Sequence, residues 1–297
     1  MTKVILIGLG AVGLTYAVKL RDKCDFYVLG DKLRIDGYKT EKPVFNGIQQ
    51  EFNYILPTDK FDADLILITT KMNGLDSAIK SIKNFVCEKT RIISLINGIS
   101  SEKIISEAYP QAKVLKSYFI GHSAVRDGNF VTQDGVGEIV MEQDDFTEKF
   151  FTESGVDYSV PIDIDYALWL KFSLNVFSNQ VSAILDMSFG ALKRNKHFIE
   201  FAKKIVAEVR QIAELEGIKH LENLEKDAIS SLNTAMDEGK TSMHQDILAK
   251  RNTEVDIFAG EIIRLGRKHG VLTPYNQVLY DLIRIKEEDN EHSIHSR

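Results

Sequence analysis

Cysteine is nearly missing from this chain: Cys24 and Cys87 are the only two in 297 residues. Neither lies in a metal-ligand spacing and two cannot make a disulfide framework, so a reducing cytosol is the expected compartment. Basic charge is also short. Lys and Arg number 37 against 43 Asp and Glu, a net charge of −6, and that balance argues against a nucleic-acid surface. No run approaches the ~20 apolar residues that a membrane span needs. The opening "MTKVILIG" lacks a basic n-region, and glycines break the apolar run that follows, so no secretory leader is expected. No His/Asp/Glu spacing suggests a metal site. No G-x-S-x-G and no Cys/His pairing points to covalent catalysis. Internal repeats and low-complexity segments are absent as well.

What remains is ordinary in bulk and specific in pattern. The chain is 44% hydrophobic and 27% charged, enough for a sizeable core, and is long enough for two domains. Its first half alternates. "KVILI" reads as a buried strand and residues 11–22 as a helix; "DFYVL", "ADLILITT" and "TRIISLI" are further apolar runs, with the helical pattern "NGLDSAIKSIKNFV" between the last two. Continuous β-branched runs separated by amphipathic helices predict a parallel sheet covered on both faces. Residues 113–142, with the turn "RDGN", read as short antiparallel strands. Beyond "VDYSVPIDID" the strands stop, and from residue 164 the patterns are helical, with Gly217 and Gly270 placed to end helices. The tail "EEDNEHSIHSR" reads as frayed.

Gly8-Leu9-Gly10-Ala11-Val12-Gly13 is a complete G-x-G-x-x-G. It follows a strand and opens a helix, which is the context a dinucleotide site requires. There the first glycine makes the turn, the second admits a pyrophosphate, and the third lets helix and sheet touch. A turn without a ligand is the alternative. The fold class expected is therefore α/β: an N-terminal Rossmann-type dinucleotide-binding domain, residues 1–162, followed by an all-α C-terminal domain, residues 163–297, that carries substrate and catalytic groups. Asp31 falls just past the second strand, where an acid holds a ribose hydroxyl and favours NAD. Lys32 and Arg34 beside it could meet a 2′-phosphate instead, or all three could be solvated loop charges. NAD against NADP stays open on these residues.

In an open α/β sheet ligands bind beyond the carboxyl ends of the strands. Lys71 follows "ADLILITT" and Asn97-Gly98 follows "TRIISLI". Each could touch cofactor or substrate, or be an exposed loop lysine and an ordinary turn. In "LWLKFSLNVFSNQVSAIL", Lys171, Asn175 and Asn179 stand at i, i+4 and i+8, on one face of an otherwise apolar helix. A lysine there is a candidate general acid and the amides candidate orienting groups; a solvated stripe is the plainer reading, though it would more often carry Glu and Lys. In "TSMHQDILAKRNTEVDIFAG", Ser242 and Asp246 are four apart in a turn or short helix. Thr253 could cap a helix containing Glu254 and Asp256, acids that capping and the helix dipole alone would explain. His244 and His269 read as surface or helix-end residues.

Together these motifs resemble the ketopantoate reductase (2-dehydropantoate 2-reductase) family. "GLGAVG", "TTKMNGLDSAI", "INGIS", "LWLKFSLNVFSN" and "TSMHQDILAKRNTEVDIFAGEIIRLGRKHGVLTPYNQVLYDLI" occur in family order over nearly the whole chain. The resemblance implies NADPH-dependent reduction of a 2-keto acid, ketopantoate, to pantoate on the way to coenzyme A. It makes Lys171 the general acid and Glu254 the group that binds substrate and orients that lysine. Asn175, Asn179 and Ser242 become substrate-binding, and Lys71 and Asn97 line the active site beside the cofactor. This chain departs from the family at three places: Asp31 stands where an arginine is usual, Asn179-Gln180 where Asn-Pro is common, and Ile96 where Gln or His precedes the central Asn-Gly. NADP is thus the expected cofactor, with NAD admitted by Asp31. A related dehydrogenase of another branched 2-keto or hydroxy acid is an alternative. A nicotinamide-sensing protein is a third reading, and it would need neither Lys171 nor Glu254. The expected partner is a small keto acid, with no nucleic acid and no membrane; a homodimer is an oligomer the helical half could support.

Overall fold

The computed structural model describes residues 1–121 and 123–295. β1 (Lys3–Ile7) leads through the glycine loop into α1 (Ala11–Leu20), then β2 (Asp25–Leu29) and α2 (Lys32–Thr40). The short strands β3 (Val44–Phe45), β4 (Ile48–Gln49) and β5 (Tyr54–Ile55) precede β6 (Leu65–Ile68), α3 (Leu75–Ile82), β7 (Arg91–Ser94), α4 (Ser101–Ala108) and β8 (Lys113–Leu115). β9 (Ser117–Ile120), β10 (Ser123–Asp127), β11 (Phe130–Asp134), β12 (Glu138–Met141), α5 (Asp145–Ser154) and β13 (Tyr158–Ser159) complete this part.

The main sheet runs β5-β2-β1-β6-β7-β8, and every adjacent pair in it is parallel. Apart from Lys3 at the start of β1, its two central strands are apolar because both faces are covered. Val4 and Leu6 pack into the core under α1 with Leu14, Phe26 and Phe151, while Ile5 and Ile7 pack opposite with Ala78, Ile82 and Ile105 of α3 and α4. Ile7 pairs with Leu29 and with Ile68, and Ile68 with Ser94, so four strands end level. The chain runs outward from β1 to β2 and then returns to β6 on the other side of β1. The crevice at the carboxyl ends of β1 and β6 is therefore the topological switch point.

Two small sheets accompany it, ordered β10-β11-β3-β4 and β13-β12-β9. The "RDGN" hairpin is present: Asp127 pairs with Phe130 across a two-residue loop that begins with Gly128 at φ 58. Two expectations and one alternative change. Residues 113–115 are not part of the antiparallel region: β8 joins the main sheet in parallel with β7, after the α4 crossover. Lys32 and Arg34 do not lie in a loop, because the Asp31 side chain caps α2 at that point. The tail is helical through His295, and residues 296–297 lie outside the described residues. Lys286 donating to the Ala183 carbonyl at 2.9 Å and Asn290 donating to that of Ile247 at 3.2 Å hold this last helix down.

The chain divides into two compact units, Met1–Ile164 and the part from Asp165 onward. The second is helical: α6 (Ile164–Leu185), α7 (Phe189–Arg194), α8 (Lys196–Leu215), α9 (Leu224–Ser231), α10 (Ser242–Leu248), α11 (Ala259–His269) and α12 (Pro274–His295). α11 stops at Gly270, which takes the left-handed C-cap conformation at φ 69. Among the described residues no helix is long and apolar enough to cross a membrane, and no cluster of three metal-capable side chains occurs.

Candidate active site

The glycine loop sits at the switch point. Gly8 leaves β1 with φ +107, a conformation side chains rarely adopt, and a Cβ there would lie 2.9 Å from the Thr69 carbonyl carbon. Gly13 is more constrained: its Cβ would come within 1.8 Å of Gly8 O and 2.5 Å of Thr69 Oγ1. Thr69 holds the loop from β6, donating from Oγ1 to Gly8 O at 2.6 Å. Gly10 differs, since the nearest atom to its Cβ would be Thr69 O at 4.0 Å. Internal packing therefore explains Gly8 and Gly13 and leaves the space beside Gly10 open. The Leu14 N–H makes the first bond of α1, to Gly10 O at 2.9 Å, so the N–H groups of Ala11, Val12 and Gly13 lack intrahelical acceptors. An open flank beside a helix N-terminus is the geometry that fits a pyrophosphate.

Level with this loop are the ends of β2, β6 and β7. Asp31 Oδ1 accepts from the Arg34 N–H at 2.8 Å, and Asp31 Oδ2 lies 3.5 Å from Arg34 Nε. The carboxylate at the end of β2 is thus engaged as a helix cap, with an arginine paired to it and Lys32 exposed alongside. Lys71, exposed, starts the turn Met72–Gly74 just past β6. Asn97 is half-buried beyond β7, followed by Gly98 at φ 103. Ile96 is 3% exposed and packs in the apolar core with Ile68 and Leu75.

In the helical unit, α6 is one continuous helix of 22 residues. Phe172, Val176 and Phe177 on it are buried, whereas Lys171 and Asn175 are half-buried and Asn179 is buried. The polar row deepens along the helix and continues to Ser182, whose Oγ lies 2.6 Å from Thr241 Oγ1. Thr241 caps α10, so this contact brings Ser242, exposed at the first helical position, to the end of the row. Gln180 is wholly buried; its amide donates to Val176 O at 2.6 Å, and its Oε1 has no partner.

Glu254 is half-buried and begins a single turn, Val255–Ile257. Thr253 Oγ1 accepts from the Val255 N–H at 3.2 Å, capping a turn where a longer helix was expected. The Phe258 ring packs on Phe172 with centroids 6.3 Å apart, which sets this segment against the turn of α6 that bears Lys171. α12 straps it from behind: Arg284 bonds both oxygens of Asp256 at 2.7 Å, and Glu287 accepts from the Thr253 N–H at 2.6 Å. Burial alone would lower the Arg284 guanidinium pKa, but its bonds to Tyr280, Glu287 and Asp256 outweigh burial and hold it above its usual value. His244 corrects a sequence expectation. It is 1% exposed, and its Nε2 lies 2.6 Å from Asp186 Oδ1, tying α10 to the end of α6. His269 does end α11, beside Glu216 at 2.5 Å.

Sequence reading passed over two of these positioning groups, Thr69 and Thr241. Both are short polar residues next to apolar runs and carry no distinguishing spacing.

Comparison with known proteins bears on both units. Residues 4–145 match the family described as Ketopantoate reductase PanE/ApbA, and residues 163–287 its C-terminal counterpart. A 2-dehydropantoate 2-reductase of Vibrio cholerae serotype O1 is 25% identical over 296 residues, covering 96% of this chain and 98% of the relative. The enzyme of the same name from Aquifex aeolicus is 26% identical over 306 residues, 96% and 97% of the two chains. Among solved structures, a D-mandelate dehydrogenase with NADH and anilino(oxo)acetate aligns at TM-score 0.85 and 24% identity over 98% of this chain and all of its own. A dimeric ketopantoate reductase from Staphylococcus aureus aligns at TM-score 0.78 and 22% identity, over 97% and 99%. With both of its units matched in order, the chain belongs to the ketopantoate reductase family of oxidoreductases.

Proposed function

We propose that this protein reduces 2-dehydropantoate to pantoate with a reduced nicotinamide dinucleotide, NADPH before NADH, as a cytoplasmic step toward coenzyme A. The observation that carries this reading is the row Lys171–Asn175–Asn179 on α6, a helix that otherwise buries a large aromatic and aliphatic set including Trp169, Phe172, Val176 and Phe177. The same-named relatives from Vibrio cholerae and Aquifex aeolicus support the substrate.

The loop Gly8, Leu9, Gly10, Ala11, Val12 and Gly13 would hold the cofactor pyrophosphate, with Lys71 and Asn97 beside the nicotinamide half and Asp31 and Lys32 at the adenosine ribose. The bound cofactor supplies a hydride to the keto carbon. Negative charge then grows on the keto oxygen, and Lys171 holds a proton at Nζ for it. Glu254 keeps that ammonium in place. Asn175, Asn179 and Ser242 hold the substrate through its carboxylate and hydroxyl.

A second reading is favoured by specific residues: an NADH-dependent reductase of another branched or aromatic 2-keto acid. Asp31 in place of an arginine and the buried Gln180 after Asn179 support it, as does the likeness to a D-mandelate dehydrogenase with NADH. A homodimer belongs to the proposal too, on the example of the dimeric Staphylococcus aureus neighbour. The deciding experiment follows absorbance of the reduced nicotinamide with 2-dehydropantoate, NADPH and NADH in parallel. Fast oxidation supports the first reading; none with 2-dehydropantoate, beside turnover of a phenyl-substituted 2-keto acid, replaces it with the second.

A further inference from the structure

The glycine loop binds nothing by charge of its own. From Gly8 through Val18 no residue is charged, and Lys19, in the last turn of α1, is paired with Asp157 at 2.9 Å. A pyrophosphate there would meet backbone N–H groups and a helix end worth only about half a positive charge. Any full positive charge at the pyrophosphate would come from elsewhere in the fold.

Arg126 brings it. This residue lies on β10, 117 positions along the chain, yet its Nη1 donates to the Leu9 carbonyl at 3.2 Å. Its Nε donates to Gly128 O at 2.8 Å, which seats the guanidinium in its own hairpin. A guanidinium has five N–H donors. Among the described residues these two bonds use two of them, and the side chain is exposed. The hairpin itself is fixed to α1. Gln133 on β11 accepts from Thr15 Oγ1 at 2.6 Å, and Val131 is buried in the core with Leu14. The arginine is thus a pre-positioned cation on the carbonyl of the loop's second residue, with donors to spare.

We propose that Arg126 binds the dinucleotide pyrophosphate, donating to a phosphate oxygen from its seat on the Leu9 carbonyl. The inference rests on the dinucleotide reading of Gly8–Gly13 and adds to it a side chain from the small antiparallel sheet. Arg is suited to the task because its planar fork can keep the Leu9 bond while bonding a phosphate oxygen. Lysine would supply the charge without the fork.

The test is calorimetric titration of the full chain with NADPH, NADH and ADP-ribose, which keeps the pyrophosphate but lacks nicotinamide. R126A should bind each about tenfold or more weakly, the loss expected for a charge-assisted hydrogen bond. R126K should recover part of that, and the salt dependence of binding should flatten in R126A. Gln133→Ala separates contact from fastening, since it loosens the hairpin on α1 and keeps the guanidinium. Near wild-type affinity in Q133A beside a large loss in R126A supports the inference. Equal losses in the two variants would overturn it in favour of a fastener, and so would unchanged affinity in R126A. A wild-type chain that binds none of the three ligands would instead overturn the dinucleotide reading, and this inference with it.

Discussion

The glycine loop and the polar row of α6 do opposite things with side chains. At residues 8–13 side chains are withheld: two glycines are required because a Cβ would strike Gly8 O or the Thr69 backbone, and a third leaves a flank open. At Lys171, Asn175 and Asn179 polar side chains are placed in a row on a helix that buries Trp169, Phe172, Val176, Phe177 and Val181. One region offers backbone N–H groups and shape, the other protons and amides. Mutations should therefore fail differently in the two: by steric collision in the loop, by loss of chemistry with the fold intact on α6.

The sharpest test of that contrast is Lys171→Ala. The side chain is half-buried, so the variant should fold and bind cofactor normally. Its kcat should fall about 10²- to 10⁴-fold, the range for a positioned general acid. Turnover within a few-fold of wild type would remove Lys171 from the chemistry and erase the contrast.

Gly13→Ala and Gly10→Ala come next, as a pair. The first puts a methyl 1.8 Å from Gly8 O, so it should destabilise by about 3 kcal/mol and lower Tm by about 10 °C. The second meets no atom closer than 4.0 Å, so Tm should hold while dinucleotide affinity drops about tenfold or more. Equal melting temperatures for the two variants would break the division of labour among the glycines.

The contrast also explains which parts were legible in the sequence. A backbone site writes itself into a short local pattern, so Gly8–Gly13 and the sheet strands could be read directly. The α6 row was legible because Lys171, Asn175 and Asn179 share one helix. What escaped depends on residues far apart in sequence. β8 is too short to announce that it pairs with β7; α2 is the local exception, its cap Asp31 having been read as a ribose contact. His244 looked like a surface residue because its partner, Asp186, lies 58 positions away. The tail looked frayed because its anchors, Ala183 and Ile247, belong to other helices.

His244 gives a smaller effect in the helical unit. Replacing it with Ala removes a buried ring and its bond to Asp186, and should destabilise by about 2 kcal/mol. Because α10 carries Ser242, KM for the keto acid should rise more than kcat falls, by steady-state kinetics below Tm. An unchanged KM would mean that the start of α10 does not touch substrate.

The smallest effect is the one that qualifies the comparison, because at Asp31 the N-terminal unit does use a side chain. Its Oδ1 caps α2 by accepting the Arg34 N–H, and Oδ2 pairs at 3.5 Å with the Arg34 side chain, both groups being well exposed. Asp31→Asn keeps a good capping acceptor, so α2 should stay formed. Losing an exposed ion pair costs at most about 1 kcal/mol. What changes is charge: the carboxylate that would repel a 2′-phosphate is gone, and Arg34 is released to meet one. The ratio of kcat/KM for NADPH over NADH should rise, by about tenfold if the ribose lies at the end of β2. An unchanged ratio would place the adenosine ribose away from Asp31, and leave the loop glycines as the only cofactor determinants of β1 and β2.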